Sequence, residues 1–294
     1  MSDPLFWHHH PSLERPLMVV AFEGWNDAGD AASLALSYLV RAWGAEPFAS
    51  IDPEEFYDFT ETRPLVRASS DGGRSIEWPE VELLSARLPE RSEGPGRDVV
   101  LVRGVEPQLR WRSFCRLLVD VAVGYDCELA LILGALLADV PHTRPVRVTG
   151  NADDDELAAR LGLPPSQYEG PTGILGVLHH ALSEAGVPSA SFWASVPHYV
   201  HQVPSPKAAL ALVERSASVL GATVEPDELR VAASDYERQV SDRVADDEDA
   251  AAYVASLEEA DDADAAGSES TLLADPDRLA EEVERFLRRH RSGG

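Results

Sequence analysis

The chain has 294 residues and a formal net charge of −26 at pH 7, from 51 acidic and 25 basic side chains. A surface of this sign repels the phosphates of nucleic acids and of anionic lipids, which excludes both as default partners. A chain of this length can bury a substantial core, in one large domain or two modest ones.

The first clear unit is a strand, an acidic turn and a helix. Residues 17–22 form a continuous apolar run, which is typical of a parallel strand covered on both faces. Residues 31–42 place apolar side chains at helical spacing, and Asp27 or Asp30 can cap that helix. The turn between them, residues 23–30, lies where open α/β sheets bind ligands. A carboxylate about 4 Å from an anion costs on the order of 4 kcal/mol, so the turn disfavours phosphate binding without a metal.

Further strands and helices follow with the alternation of an α/β protein. The predicted strands are residues 47–51, 65–68, 76–88, 98–102, 129–134, 146–150 and 190–196. The predicted helices are residues 108–123, 156–161 and 207–220, with another beginning in the segment 168–176. The segment between strand 129–134 and strand 146–150 is predicted to be a long loop at the strand ends.

Several polar side chains follow these strands and form a candidate rim. Arg103 follows strand 98–102 and can bind an anion bidentately, or form a salt bridge to Glu23 or Asp27. Thr172 and its neighbouring glycines leave backbone N–H groups open for an anion. The candidate ligand-binding residues are Glu23, Asn26, Asp27, Arg103, Glu106, His142, Thr143, Thr172 and His198.

No catalytic residue, metal ligand or cofactor follows from these positions. Dinucleotide-binding, nucleophile-elbow, zinc-protease and P-loop motifs are absent from the sequence. The acidic run at residues 153–156 lacks the spacing of a calcium loop and is typical of a helix N-terminus. We therefore expect no metal and no cofactor.

The cysteines and the apolar runs indicate a compartment. Cys115 and Cys127 lie in apolar contexts without metal or redox spacing, which favours two buried thiols in a reducing environment. Residues 1–7 lack the features of a signal peptide, and the ten apolar residues at 129–138 are too few to span a bilayer. We expect a cytoplasmic protein without a membrane partner.

The composition changes near residue 225. Residues 235–264 contain twelve acidic side chains against two arginines, which suits helices with one packed seam and a solvated acidic face. A flexible linker is predicted at residues 263–270, and a last helix is predicted to begin near Pro276. The sequence thus divides into an α/β domain, residues 1–222, and an acidic helical C-terminal extension, residues 223–294.

Four segments, taken together, resemble the proteasome assembly chaperone 2 family in its actinobacterial branch. They are residues 22–29, 134–145, 170–176 and 196–199. The resemblance implies a three-layer α/β/α sandwich, similar to the phosphorylase/hydrolase-like fold, with the acidic helical extension added. It also implies self-association, and it supplies no accepted catalytic residues.

Two functions remain open from the sequence. The first is a non-enzymatic scaffold or assembly factor, a homo-oligomer (dimer or trimer) with proteasome-related partners. Its contact surface would include the aromatic rings of Trp7, Trp111 and residues 56–59, which are equally compatible with core packing. The second is a phosphorylase- or hydrolase-like enzyme that acts on a small polar or anionic substrate at the rim. Arg103, His142 and Thr172 would bind an anion, and Glu23 or Asp27 would bind a polar group of the substrate. A deep pocket where Arg103 and His142 converge favours the enzyme, and a plugged rim favours the scaffold.

Overall fold

The computed structural model describes residues 4–68, 72–88, 96–152, 155–163 and 168–267. Its strands are β1 (Leu5–Trp7), β2 (Leu17–Glu23), β3 (Glu46–Ile51), β4 (Leu65–Ala68), β5 (Arg74–Glu77), β6 (Val81–Arg87), β7 (Asp98–Val105), β8 (Leu129–Ala138), β9 (Val148–Ala152) and β10 (Ser189–Pro197). Its α-helices are α1 (Ala31–Ala42), α2 (Trp111–Gly124), α3 (Asp155–Leu161), α4 (Ile174–Glu184), α5 (Pro206–Leu220), α6 (Asp227–Ala245) and α7 (Glu248–Gly267).

Eight strands form one mixed sheet in the order β1-β3-β6-β7-β2-β8-β10-β9. The four central strands, β7, β2, β8 and β10, are parallel, and the outer neighbours pair antiparallel. β2 lies between β7 and β8, and its six residues from Leu17 to Phe22 are buried. Its continuous apolar run therefore reflects contact with helices on both faces, as predicted from the sequence.

The helices form two layers around this sheet. α1 and α5 pack on the face that carries Val19 and Leu131, whereas α2 and α4 pack on the face that carries Val20 and Ile132. α6 packs outside α5, and α7 packs against α6. The predicted three-layer α/β/α sandwich with a helical C-terminal extension is confirmed.

The turn after β2 is held by one carboxylate. Asp27 Oδ1 accepts hydrogen bonds from the backbone N–H groups of Ala32, at 2.6 Å, and Ser33, at 3.2 Å. Asp30 makes no side-chain cap and has a left-handed backbone, with φ of 50°. Of the two predicted caps for α1, Asp27 is the correct one.

Several predicted boundaries were wrong. The predicted strand 76–88 is two strands, β5 and β6, and β7 continues to Val105, so Arg103 lies within the strand and not after it. β8 continues to Ala138, because residues 136–138 pair in parallel with residues 195–197 of β10. The next strand begins at Val148 instead of residue 146, and it pairs antiparallel with the other edge of β10. α2 begins at Trp111 rather than residue 108, because Arg110 before it has a left-handed backbone with φ of 53°.

The chain ends also differ from the sequence prediction. Three N-terminal residues form β1, which the sequence analysis did not predict and which pairs with β3. Residues 263–267 of the predicted linker are helical, since α7 continues through Gly267. The rest of that linker, and the helix predicted near Pro276, lie outside the described residues.

Two of the aromatic side chains proposed for an interface belong to the core. Phe56 and Tyr57 are buried beneath α2, and the Phe56 ring packs edge-on against Phe114 at 5.4 Å. Trp7 and Trp111 are half-buried against the same core. Interior packing, the alternative left open by the sequence, therefore accounts for Phe56 and Tyr57.

Candidate functional site

The structure separates the nine candidate residues into two groups and one isolated position. Five lie at or beside the acidic turn, residues 23–30, and three surround the loop after β8. We call residues 140–147 the basic loop, since they include His142, Arg144 and Arg147. Thr172 lies apart from the basic loop and is exposed just before α4.

Glu106 organises the acidic turn. Its carboxylate accepts a hydrogen bond from the backbone N–H of Trp25 at 3.0 Å and another from Asn26 Nδ2 at 2.8 Å. Its own N–H donates to the carbonyl oxygen of Glu23 at 2.9 Å. A Cβ on Gly24 would lie 2.7 Å from the Glu106 side chain, and φ there is +128°, so glycine is required at this position.

Electrostatics at the acidic turn oppose an anionic ligand. Burial raises the pKa of Glu23 and of Glu106, and it raises the pKa of Asp27 to about 6. Asp30 raises the pKa of Glu23 further, whereas Arg103 lowers it. A bound anion would add to this repulsion, so the cluster is suited to hydrogen-bond donors instead.

Two buried acceptors at this turn have no partner among the described residues, Asn26 Oδ1 and Asp27 Oδ2. The Asn26 amide lies against Gly173, where a Cβ would be 2.5 Å from Asn26 Oδ1. The Asn26 amide therefore packs against the backbone that the sequence analysis proposed as an anion cradle. In the part of the chain that the structure describes, no hydrogen bond joins Thr172 to Arg103 or His142.

Arg103 forms a salt bridge, but with a different partner from those predicted. Its Nε and Nη2 donate to Glu82 Oε2 at 2.9 and 2.7 Å, and neither Glu23 nor Asp27 is bonded to it. Arg103 and Glu82 are directly opposite in the antiparallel pairing of β6 and β7. The guanidinium is thus engaged on the β6 side of the sheet, away from the basic loop.

His142 is buried in a network that connects three parts of the chain. Its backbone N–H donates to the Tyr199 hydroxyl oxygen at 2.8 Å, and its Nδ1 lies 2.7 Å from the same oxygen. Because this oxygen already accepts from the backbone, we assign its own proton to Nδ1, which places the imidazole proton on Nε2, 2.9 Å from Ser241 Oγ of α6. Lys207 Nζ donates to the His142 carbonyl oxygen at 2.5 Å.

The surroundings keep this imidazole neutral. Burial lowers the pKa of His142 and nearby Lys207 lowers it further, while Glu237 and Glu258 oppose the shift. Burial likewise raises the pKa of Tyr199 to about 12. Both groups thus act as fixed hydrogen-bonding partners near neutral pH.

Acidic side chains of α7 cover the rest of the basic loop. Arg144 forms a bidentate pair with Asp262, at 2.9 and 2.8 Å. Arg147 pairs with Asp261, and the hydroxyl of Thr143 donates to Glu258. These contacts, rather than an anionic substrate, engage the donors that the sequence analysis placed at the rim.

His198 joins the same contact from the end of β10. Its Nδ1 lies 3.0 Å from Asp139 Oδ1. Its ring packs edge-on against Tyr199 at 5.8 Å and against Tyr253 of α7 at 5.7 Å. All three candidate residues of this group therefore contact the C-terminal helices directly or through one neighbour.

The space enclosed beside the basic loop is small. A cavity between the loop, Ser205, Lys207 and Tyr236 has a volume of about 10 Å³, room for one water molecule and not for a substrate. His142 lines this cavity, whereas Arg103 does not and is held by Glu82. Among the described residues, no group of histidine, cysteine, aspartate or glutamate side chains has the arrangement of a metal site. In the same residues, no helix is long and apolar enough to cross a membrane.

The partners of the basic loop were not predicted from the sequence. Tyr199, Ser241 and Glu258 are separated from their loop partners by 57, 99 and 115 positions. One signal was available, since the loop carries arginines in a strongly acidic chain and the extension carries an excess of carboxylates. Complementary charge therefore pointed to this contact, although not to its individual pairs.

The fold and the sequence both match a known family. The sequence model of the PAC2 family matches residues 21–244. A PAC2 family protein from Streptomyces avermitilis is 48% identical, with a TM-score of 0.76 over 81% of this chain and 99% of its own. A proteasome-assembly chaperone homologue from Mycobacterium tuberculosis is 45% identical, with a TM-score of 0.73 over the same shares.

A more distant structure shares the fold alone. An archaeal proteasome activator from Pyrococcus furiosus is 15% identical, with a TM-score of 0.65 over 81% of this chain and 97% of its own. No curated protein matches the sequence at a significant level. The family model and the two bacterial relatives supply the family assignment, and the archaeal structure extends only the fold.

Proposed function

Because the chain belongs to the PAC2 family, we propose that it is a non-enzymatic, assembly-chaperone-like protein that acts through protein–protein contacts. A homologue at 45% identity is described as a proteasome-assembly chaperone homologue, which supports partners related to the proteasome. The comparisons give no support to the phosphorylase- or hydrolase-like alternative. Of the two hypotheses, the scaffold is also favoured because acidic side chains of α7 cover the basic loop.

The observation that carries the proposal is the exposed hairpin of β4 and β5. All eight residues of these two strands are exposed, although Val66 and Ile76 are apolar and directly opposite each other. An isolated two-stranded hairpin is marginally stable in water and gains from a covering partner. Exposed apolar surface of this kind marks a protein contact.

Two aromatic rings extend this surface. The ring of Trp78, which is 46% exposed, packs edge-on against Phe59 at 4.9 Å. Trp78 lies two residues after Ile76, so in an extended chain the two side chains project from the same face. Aromatic side chains are enriched in the buried centres of interfaces.

We propose a second copy of this chain as the occupant of the hairpin, in a homo-oligomer (dimer or trimer). The hairpin strands carry Arg67 and Arg74 against Glu77, in a chain whose net charge is −26. A locally basic, apolar hairpin therefore complements the acidic surface of another copy. The free edges of β4 and β5 also permit pairing with a strand of that copy.

We also propose a cytoplasmic location and a division of the chain at residue 222. Cys115 and Cys127 are free and buried, and burial raises the pKa of both thiols to about 12. Unreactive free thiols are typical of reducing compartments. The family match extends through residue 244, so α6 of the extension belongs to the matched region.

Light scattering of the full chain and two double variants tests the proposal. Val66→Asp with Ile76→Asp places charge on the hairpin. Val123→Asp with Val231→Asp changes equally exposed apolar positions on α2 and α6. We expect an oligomer for the wild type and the α2/α6 variant, and a monomer for the hairpin variant. A monomeric wild type across a hundredfold dilution, or an unchanged mass for the hairpin variant, contradicts the proposal.

A further inference from the structure

The contact between the basic loop and α7 is made mainly of charges. Three acidic side chains of α7, Glu258, Asp261 and Asp262, meet Arg144 and Arg147 of the loop. They stand at i, i+3 and i+4, so they project from one face of the helix. The two arginines of the basic loop therefore bind carboxylates at this spacing along a helix.

The apolar part of this contact is limited to two side chains. Over its described side chains, α7 buries only Val254 and Leu257, while the remaining residues are half-buried or exposed. Asp262 is largely exposed, so its pair with Arg144 contributes little and is screened by salt. The pairs at Glu258 and Asp261 are half-buried and contribute more. α7 is thus held by contacts that an equivalent acidic helix can replace.

The two sides of the contact differ in their relation to the family. The basic loop, Tyr199 and Lys207 lie inside the matched region, residues 21–244, whereas α7 begins at Glu248. The covered surface thus belongs to the region that the family model matches, and the helix that covers it follows that region in the chain.

We propose that the basic loop, with Tyr199 and Lys207, is a docking surface for an acidic helix of a partner protein, and that α7 occupies it as an intramolecular competitor. The partner helix carries carboxylates at i, i+3 and i+4 and an aromatic side chain more than one turn earlier. In α7 that aromatic residue is Tyr253, whose ring packs against Tyr199 at 6.2 Å and against His198. The inference does not depend on self-association through the β4–β5 hairpin.

The probe for this surface is a fluorescent peptide of residues 248–267, titrated into the full chain. Glu258→Gln, Asp261→Asn and Asp262→Asn together weaken the internal helix, and we call this the open variant. A matched control removes the same number of charges from exposed positions of α7, with Glu248→Gln, Asp249→Asn and Glu259→Gln. We expect the open variant to bind the peptide at least about tenfold more tightly than the wild type and the control, since fewer molecules are occupied internally.

Two further measurements decide the result. Arg144→Glu and Arg147→Glu, added to the open variant, should abolish peptide binding, and added salt should weaken it. Hydrogen exchange should show the basic loop less protected in the open variant than in the control, with β2 and β8 unchanged. The proposal is overturned if all variants bind the peptide equally. It is also overturned if the basic loop of the open variant stays protected, or if that loop exchanges faster and the peptide still does not bind.

Discussion

His142 Nδ1 lies 2.7 Å from the hydroxyl oxygen of Tyr199, and we assign the imidazole proton to the opposite nitrogen. Protonation of Nδ1 would remove the hydrogen bond that it accepts from Tyr199. The contact therefore couples the packing of α6, through Ser241, to the charge of one histidine.

The pH dependence of stability should show this coupling. Because the pKa of His142 is lowered in the folded state, the unfolded chain binds the proton more readily, and the free energy of unfolding should fall as pH drops below the ordinary value of 6.5. Lys207 favours this loss, while Glu237 and Glu258 oppose it. Urea unfolding from pH 8 to pH 5 measures the effect. His142→Gln should have a flatter profile, and identical profiles contradict the prediction.

Asp27 should show the opposite dependence. Its pKa is raised to about 6, so the folded state binds the proton more readily, and this contribution to stability is lost as pH rises through 6. Asp27→Asn keeps an acceptor for the α1 backbone and removes the buried charge. The free energy of unfolding of Asp27→Asn, relative to that of the wild type, should rise by about 2–3 kcal/mol between pH 4 and pH 8. Denaturant unfolding of both proteins at several pH values measures this gain, and a constant difference argues against it.

The cap itself can be separated from the charge. Asp27→Ala removes the acceptor for the N–H groups of Ala32 and Ser33 and should cost about 0.5–2 kcal/mol at pH 5, where the acid is largely protonated. Asp30→Ala is the control, since Asp30 makes no side-chain cap. A larger loss for Asp30→Ala than for Asp27→Ala contradicts the assignment of the cap.

Arg103→Met should have a small effect on stability. The side chains of Arg103 and Glu82 are 37% and 30% exposed, so their pair is worth about 0–1 kcal/mol. A buried carboxylate partner at the acidic turn would have implied a larger loss. Thermal unfolding measures the change, with Arg67→Met at the exposed pair with Glu77 as the reference. A loss well above that range for Arg103→Met shows that the guanidinium has a second, buried role.

Removal of α7 should leave a cooperative fold. A chain that ends at Asp247 loses the burial of Val254 and Leu257, about 1.5–3 kcal/mol each, while the two large cores remain complete. A chain that ends at residue 222 also loses Ala233, Tyr236 and Val240 of α6, and it should be less stable again. Calorimetry of both truncated chains checks the order. Loss of a cooperative transition in the longer one shows that α7 is part of the core.

Features that show in a local sequence pattern were predicted, whereas contacts between residues far apart in the chain were not. The apolar run of β2 and the Asp27 cap depend on neighbours a few residues away, and both were predictable. The partner of Arg103 depends on which strand lies beside β7, and β6 was merged with β5 in one predicted strand. The partners of His142 come from segments 57 and 99 residues away, so no local pattern contained them.

Lys207 is the only lysine of the chain, and its amine is held between the His142 carbonyl and Glu237. Its side chain is 17% exposed and is paired with Glu237 of α6. An amine-reactive reagent therefore has one lysine to modify, and α6 restricts access to it. Modification at that position would remove both contacts at once, because an acylated amine carries no charge and fewer hydrogens. The acylation rate of Lys207 therefore measures how often the C-terminal helices open.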